Sequence, residues 1–222
     1  MEFTIIATCA FGIEKILSNE LKALGYEDLA LENGKVEFRG DEMDIAICNI
    51  HLRTAERVLI KLSEFKATTF EELFQGTKAI NFAELIPVSG KMHVIGKSVR
   101  SQLHSVPDCQ RIVKKAVVES MKNTYQREVF SETGAVYKIE IGLLKDMATI
   151  TVDTSGEGLH RRGYREHSGA APLKETLAGA LVVISRYDGT RPLIDSFCGP
   201  GNILVEAAMI ARHIAPYVDD TF

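Results

Sequence analysis

"LIDSFCGPGNILVEAAMIA", residues 193–211, sets a short apolar run against a glycine-rich turn and then an apolar helix. That order is the one in which a buried strand hands a Gly-x-Gly turn to a helix N-terminus, an arrangement that holds nucleotide-like cofactors at the first crossover of a doubly wound sheet. On this reading Leu193 to Phe197 form a central strand, and Gly199 and Gly201 remove Cβ atoms where a ligand must approach backbone. The helix from Ile203 then offers free N–H groups at its start, with Asn202 as its expected N-cap.

Outward from this stretch, the 222 residues are 45% hydrophobic and 25% charged, an ordinary globular composition with room for a buried core. No apolar run approaches the roughly 20 residues that would span a bilayer. The N-terminus lacks the basic region and small-residue cleavage site of a signal peptide, so a cytoplasmic protein is expected. Cys9, Cys48, Cys109 and Cys198 show no C-x-x-C spacing and no His cluster lies near them, which argues against a metal site and for free thiols. A net charge of -4 excludes a protein that coats nucleic acid indiscriminately. Any nucleic-acid site must be local.

The N-terminal third alternates in a recognisable order. "FTIIATCA" (3–10) is short and β-branched, and "FGIEKILSNELKALGY" (11–26) places Ile13, Ile16, Leu17, Leu21 and Leu24 at helical spacing. A hairpin signal at Asn33-Gly34, a helix over 41–55 and a strand over 57–65 complete β-α-β-β-α-β, the order of the ferredoxin-like fold. Thr69 and Glu72 stand at capping-box spacing before a helix, and 91–99 reads as a strand. Ile112, Val113, Ala116, Val117 and Met121 make the apolar face of a further helix, and 135–155 is two strands turning at Lys145-Asp146. The middle of the chain is therefore α/β.

Lys97, Arg100, Arg111, Lys114 and Lys115 crowd one strand–loop–helix segment against a single acid, Asp108, in a chain that is acidic overall. With Ser98, Ser101, Gln102, Ser105 and Gln110 beside them they suit phosphate and 2'-hydroxyl contacts; a solvated helix face has the same composition. The segment "GKSVRSQLHSVPDCQRIVKKAVVESM" (96–121) resembles the central signature of the THUMP domain, an RNA-binding module of the bacterial methyltransferases that modify guanine N2 of large-subunit ribosomal RNA. "GEGLHRRGYREHSGAAPLKETLAGALV" (156–182) resembles the segment leading into their catalytic domain, and "LIDSFCGPGNILVEAAMIARHIAP" (193–216) resembles their first methyltransferase motif.

The resemblance implies an α/β protein with an α+β N-terminal half: a ferredoxin-like domain over 1–66, a THUMP domain over 67–155, and from 156 to 222 the first strand and helix of a Rossmann-like methyltransferase domain. It implies S-adenosylmethionine as cofactor, held by Asp195, Phe197, Cys198, Gly199, Gly201 and Asn202. It implies a structured, ribosomal RNA as partner, bound by Lys97, Arg100, Arg111, Lys114 and Lys115 and by Arg161, Arg162 and Arg165 of "HRRGYREH", with Tyr164 as a stacking surface. The family's usual Asp-Pro-Phe-Cys-Gly-Ser-Gly-Thr is altered here by Ser196, Pro200 and Asn202; Pro200 has no N–H, so one donor to the cofactor is lost.

The family's catalytic tetrapeptide, Asn-Pro-Pro-Tyr, occurs nowhere in the 222 residues, so no catalytic residue is assigned and the chain alone is expected to be inactive. One strand and one helix do not bury both faces of a doubly wound sheet. Exposed apolar surface is expected around "LVVISRY" and "LIDSF", to be covered by a continuation of the chain, by self-association or by a second chain. Two rival readings stay open: a non-catalytic RNA-binding adaptor, and a methylase of adenine N6.

Overall fold

The computed structural model describes residues 2–164 and 173–217. The chain divides into two compact units, Met1–Leu59 with Thr154–Phe222, and Ile60–Asp153. The first therefore draws on both ends of the sequence.

The first unit opens with β1 (Phe3–Thr8), α1 (Glu14–Ala23), β2 (Ala30–Glu32), β3 (Lys35–Gly40), α2 (Glu42–His51) and the start of β4 (Arg57–Lys66). Its strands lie in the order β2-β3-β1-β4, with β1 antiparallel to β3 from Phe3 opposite Gly40 to Thr8 opposite Lys35. This is the ferredoxin-like arrangement that the alternation of elements predicts. Helix α2 begins where it does because Asp41 accepts from the N–H groups of Met43 and Asp44 while Asp44 returns the bond to Asp41 N. Leu17, Leu21, Val36, Phe38, Cys48, Leu52 and Val58 fill the core, and Leu159 joins them from the far side of the sequence.

The second unit takes up β4 and continues through α3 (Phe70–Lys78), a 3-10 turn at Phe82–Glu84, β5 (Lys91–Val99), α4 (Val106–Tyr125), β6 (Val136–Leu144) and β7 (Met147–Asp153). The order is β4-β7-β6-β5, with β5 parallel to β6 and β6 antiparallel to β7. Strand β5, helix α4 and strand β6 thus make a parallel crossover, which needs a helix between its strands. Thr69 caps α3 and Glu72 closes the box, as their spacing predicts. Lys145 and Asp146 take φ of 50° and 65° in a two-residue hairpin, the left-handed pair whose twist matches the strands. Val113, Val117 and Met121 of α4 are buried with Leu73, Phe82, Ile139, Ile141 and Ile150. Each large side chain of this kind contributes about 1.5–3 kcal/mol by burial.

Beyond Asp153 the chain returns to the first unit with α5 (Glu175–Ile184) and α6 (Asn202–Ala211), which pack on each other. One expectation is corrected here. Leu193 to Phe197 form no strand. A central parallel strand exists only by hydrogen bonding to neighbours, and among the described residues no strand lies alongside this run. Leu181 to Ile184 belong to helix α5, where the good helix formers of "ETLAGAL" prevail over the β-branched residues that follow. The expected apolar exposure is present: Leu181, Val183 and Ile184 face solvent, Ile194 is 86% exposed and Phe197 96% exposed.

Candidate functional site

In the first unit the turn before α6 is built by two glycines. Gly199 has φ 54° and Gly201 φ 84°, both left-handed, and the Gly201 N–H donates to the carbonyl of Cys198 at 2.8 Å. A Cβ on either glycine would meet nothing nearer than 3.8 Å, so the backbone there is open to a ligand. Asp195 Oδ1 accepts the Phe197 N–H at 3.1 Å and so shapes the run that leads into the turn. Gly201, not Asn202, is the N-cap of α6, and no side chain caps the helix. Asn202 sits one place further in, where its Nδ2 donates to the Leu173 carbonyl at 2.5 Å and its buried Oδ1 has no partner. The helix start is therefore uncapped and carries an unsatisfied acceptor beside it. Phe197 and Cys198 are exposed.

One turn into α6 stands Glu206, a fully buried carboxylate in an otherwise apolar helix. Arg53 Nη1 donates to its Oε2 at 2.6 Å; Arg162 Nη1 and the Tyr164 hydroxyl, the latter at 3.0 Å, donate to its Oε1. Other donors of the two guanidiniums are engaged as well: Arg53 Nη2 reaches the Ile214 carbonyl at 2.8 Å, and Arg162 Nη2 and Nε reach the carbonyls of Arg53 and Leu159. Nearby, Glu20 accepts from the N–H and hydroxyl of Thr54 at 3.1 and 2.7 Å. Burial raises the Glu20 carboxyl above the ordinary range, against those hydrogen bonds and the charges of Arg53 and Arg162, which lower it. Burial, with the Glu206 charge beside it, likewise pushes the Tyr164 hydroxyl well up.

These contacts correct part of the RNA assignment. Arg162 is interior and ion-paired, so it offers no surface to a phosphate, and the Tyr164 hydroxyl is tied to Glu206. Arg161 is exposed and pairs with Glu157 at 3.0 Å. Arg165 and His167 lie outside the described residues.

In the second unit the cations of α4 share one face, Arg111, Lys114 and Lys115 at spacings of three and four opposite the buried stripe. Arg111 pairs with Asp108, Lys114 with Glu132 at 2.9 Å, and Lys97 with Glu140 at 2.7 Å; Lys115 Nζ stands 5.6 Å over the Phe74 ring. The Ser105 hydroxyl, more than the Arg111 charge, holds Asp108 below the usual carboxylate range. Arg100 is exposed at the end of β5 with φ 51°. The serines and glutamine beside them are committed to the loop rather than free for ribose. Ser98 Oγ donates to the Leu103 carbonyl, Ser101 Oγ to the Val99 carbonyl, Ser105 Oγ to Asp108, and the Gln102 side chain to Asp146. Sequence reasoning missed Glu206 and Arg53. A lone carboxylate inside "NILVEAAMIA" is itself a signal, since such a charge is buried only with a partner.

Three family models match consecutive parts of the chain: the RlmL ferredoxin-like domain over residues 4–59, the THUMP domain over 67–153 and the RMKL-like methyltransferase domain over 162–221. The chain thus carries, in order, a ferredoxin-like, a THUMP and a methyltransferase-like segment. It is 54% identical over 217 residues to the Bacillus subtilis (strain 168) protein named "Putative RNA methyltransferase YpsC", a match spanning 97% of this chain and 56% of that protein. A crystal structure titled as a "predicted N6-adenine-specific DNA methylase" from Listeria monocytogenes superposes with a TM-score of 0.93 at 50% identity, covering 97% of this chain and 57% of that one. Another, SMU.472, titled "a putative methyltransferase complexed with SAH", gives 0.94 at 42% identity and covers 100% and 59%. The chain thus spans a little over half the length of these relatives.

Proposed function

We propose that this chain is the RNA-recognising and cofactor-turn portion of an S-adenosylmethionine-dependent methyltransferase whose target is guanine N2 in large-subunit ribosomal RNA. The start of α6 carries the reading. An uncapped helix N-terminus behind two left-handed glycines, with an unsatisfied buried Oδ1 on Asn202 and an acid at Asp195, has the chemistry to hold a zwitterionic nucleoside. Asp195, Phe197, Cys198, Gly199, Gly201 and Asn202 would hold it, the open backbone at the glycines admitting the ligand and Asp195 supplying charge for its amino group. When bound, S-adenosylmethionine supplies a methyl group already activated on sulfonium. The SMU.472 structure, titled as a complex with SAH, supports this choice.

Lys97, Arg100, Arg111, Lys114 and Lys115 of the THUMP segment would meet RNA phosphates, with exposed Arg161 as a further cation. The proposed domains are 1–66, 67–155 and 156–222, a division that the spans of the family models support. A cytoplasmic setting goes with such a substrate. The Listeria relative's title favours a second chemistry, methylation of adenine N6.

One experiment separates the two. The chain, alone and joined to the remaining length of the Bacillus relative, is incubated with S-adenosylmethionine labelled in the methyl group and unmodified large-subunit RNA, and the product nucleosides are resolved. N2-methylguanine is expected from the joined protein. N6-methyladenine would replace that reading with the second, and RNA that stays unlabelled would sink both.

A further inference from the structure

The charge cluster around Glu206 spans four parts of the first unit, and its geometry is more exacting than stability asks. Arg53 follows α2 in the ferredoxin-like segment, Arg162 and Tyr164 follow β7, Glu206 belongs to α6, and α5 completes the enclosure through Gly179. A Cβ on Gly179 would lie 2.8 Å from Arg53 Cγ and 3.2 Å from Glu206 Oε2, so the glycine gives the pair its room within the helix. Both carboxylate oxygens of Glu206 are engaged, and Arg53 holds α6 twice, at Glu206 and just past its C-terminus at Ile214. Tyr217 N–H adds a bond to the Ile50 carbonyl at 3.3 Å. With Glu20 the cluster holds two arginines and two carboxylates. Apolar residues of the same volume often stabilise a fold as well as such a cluster does, whereas charges fix one geometry.

What that geometry fixes is the helix whose first N–H groups face the glycine turn. Glu206 is five residues from Gly201, about 7.5 Å along the axis. A helix free to slide or roll there would carry the N–H groups of Asn202 to Leu204 out of hydrogen-bonding reach of a ligand, and displacements of about 1 Å are enough to cost much of an oriented interaction.

We propose that Arg53, Arg162 and Glu206 are positioning residues for the cofactor turn, so that the ferredoxin-like segment, through Arg53, sets the affinity of the methyltransferase segment for its nucleoside cofactor. The inference rests on the reading of the glycine turn given under Proposed function. It makes residues 4–59 part of the cofactor apparatus rather than a separable RNA-binding attachment.

The test uses the joined protein described above, with S-adenosylhomocysteine as the probe. Its dissociation constant is measured by calorimetry for the parent, Arg53→Lys, Glu206→Asp and Gly179→Ala, and amide exchange is followed at residues 201–205. Lysine keeps the charge but cannot serve Glu206 and the Ile214 carbonyl together; aspartate keeps the charge but withdraws it by one methylene; alanine removes no charge but crowds Arg53 and Glu206. Each is expected to weaken S-adenosylhomocysteine at least tenfold and to speed exchange at Asn202 to Leu204, with RNA affinity unmoved and the loss of cofactor affinity out of proportion to any fall in melting temperature. Unchanged dissociation constants in all three would overturn the proposal, as would losses that only track a fall in melting temperature, which would make the cluster a structural prop. A parent protein that binds no S-adenosylhomocysteine would instead refute the cofactor reading, and the inference with it.

Discussion

Asp146 shows how much one side chain organises. Its Oδ1 accepts the Gln102 N–H at 2.7 Å, its Oδ2 accepts the Gln102 side-chain amide at 3.1 Å, and its own N–H donates to Ser101 Oγ. The Gln102 N–H, before the side-chain amide and the Lys66 charge, holds its carboxyl below the ordinary range. A depressed carboxyl stabilises the folded state above its unfolded pKa, and that contribution is lost as pH falls through the folded one. The Asp146 carboxyl resonance is therefore expected to titrate below the usual aspartate range, with the Gln102 amide shifting at the same midpoint; a titration at the ordinary value would count against the bonds. Legibility differs sharply at this scale. The Thr69–Glu72 box and the Lys145-Asp146 turn are local, so spacing alone exposes them. Arg53 and Glu206 are 153 positions apart, and no local pattern links them.

Helix α4 divides its work between two faces. Met121 is fully buried in the second unit, and Met121→Ala is expected to cost about 2–5 kcal/mol in denaturant unfolding; a loss below 1 kcal/mol would show that the core collapses around the gap. On the other face, the partners of Arg111 and Lys114 are exposed or half-exposed carboxylates. Such pairs are worth about 0–1 kcal/mol, so phosphates displace them at small cost. Arg111→Ala with Lys114→Ala is expected to weaken RNA at least tenfold and to lower the slope of log affinity against log salt by about 1 per residue. An unaltered slope would place the RNA elsewhere. The helical period revealed both faces of α4, whereas the apolar run before the glycine turn misjudged Leu193 to Phe197 as a strand. Amphipathic helices carry their hydrogen bonds within themselves, while a strand exists only beside another strand.

Each unit of the molecule owns its core. Every side chain in the Leu73–Ile150 cluster comes from between Leu62 and Val152, so a fragment of residues 60–153 is expected to melt cooperatively on its own. A broad, non-cooperative transition would show that it needs the rest of the chain. The first unit has no such contiguous fragment. Val58 N–H donates to Ser155 Oγ at 2.7 Å, Leu159 fills a place among the side chains of α1 and β3, and Tyr217 packs there too. The ferredoxin-like order was legible because its six elements follow one another, whereas the return of the chain at Thr154 leaves no mark in local pattern.

That return has a consequence for synthesis. A ribosome releases the N-terminus first, yet the core begun by Ile5 and Leu17 waits for Leu159, and Glu20 and Arg53 wait for Arg162 and Glu206. The middle segment, made later than Leu17, is closed earlier. Nascent chains stalled just past Asp153 would carry a finished THUMP segment and an open ferredoxin-like one, so chaperones would find their substrate at the end of the protein that was made first.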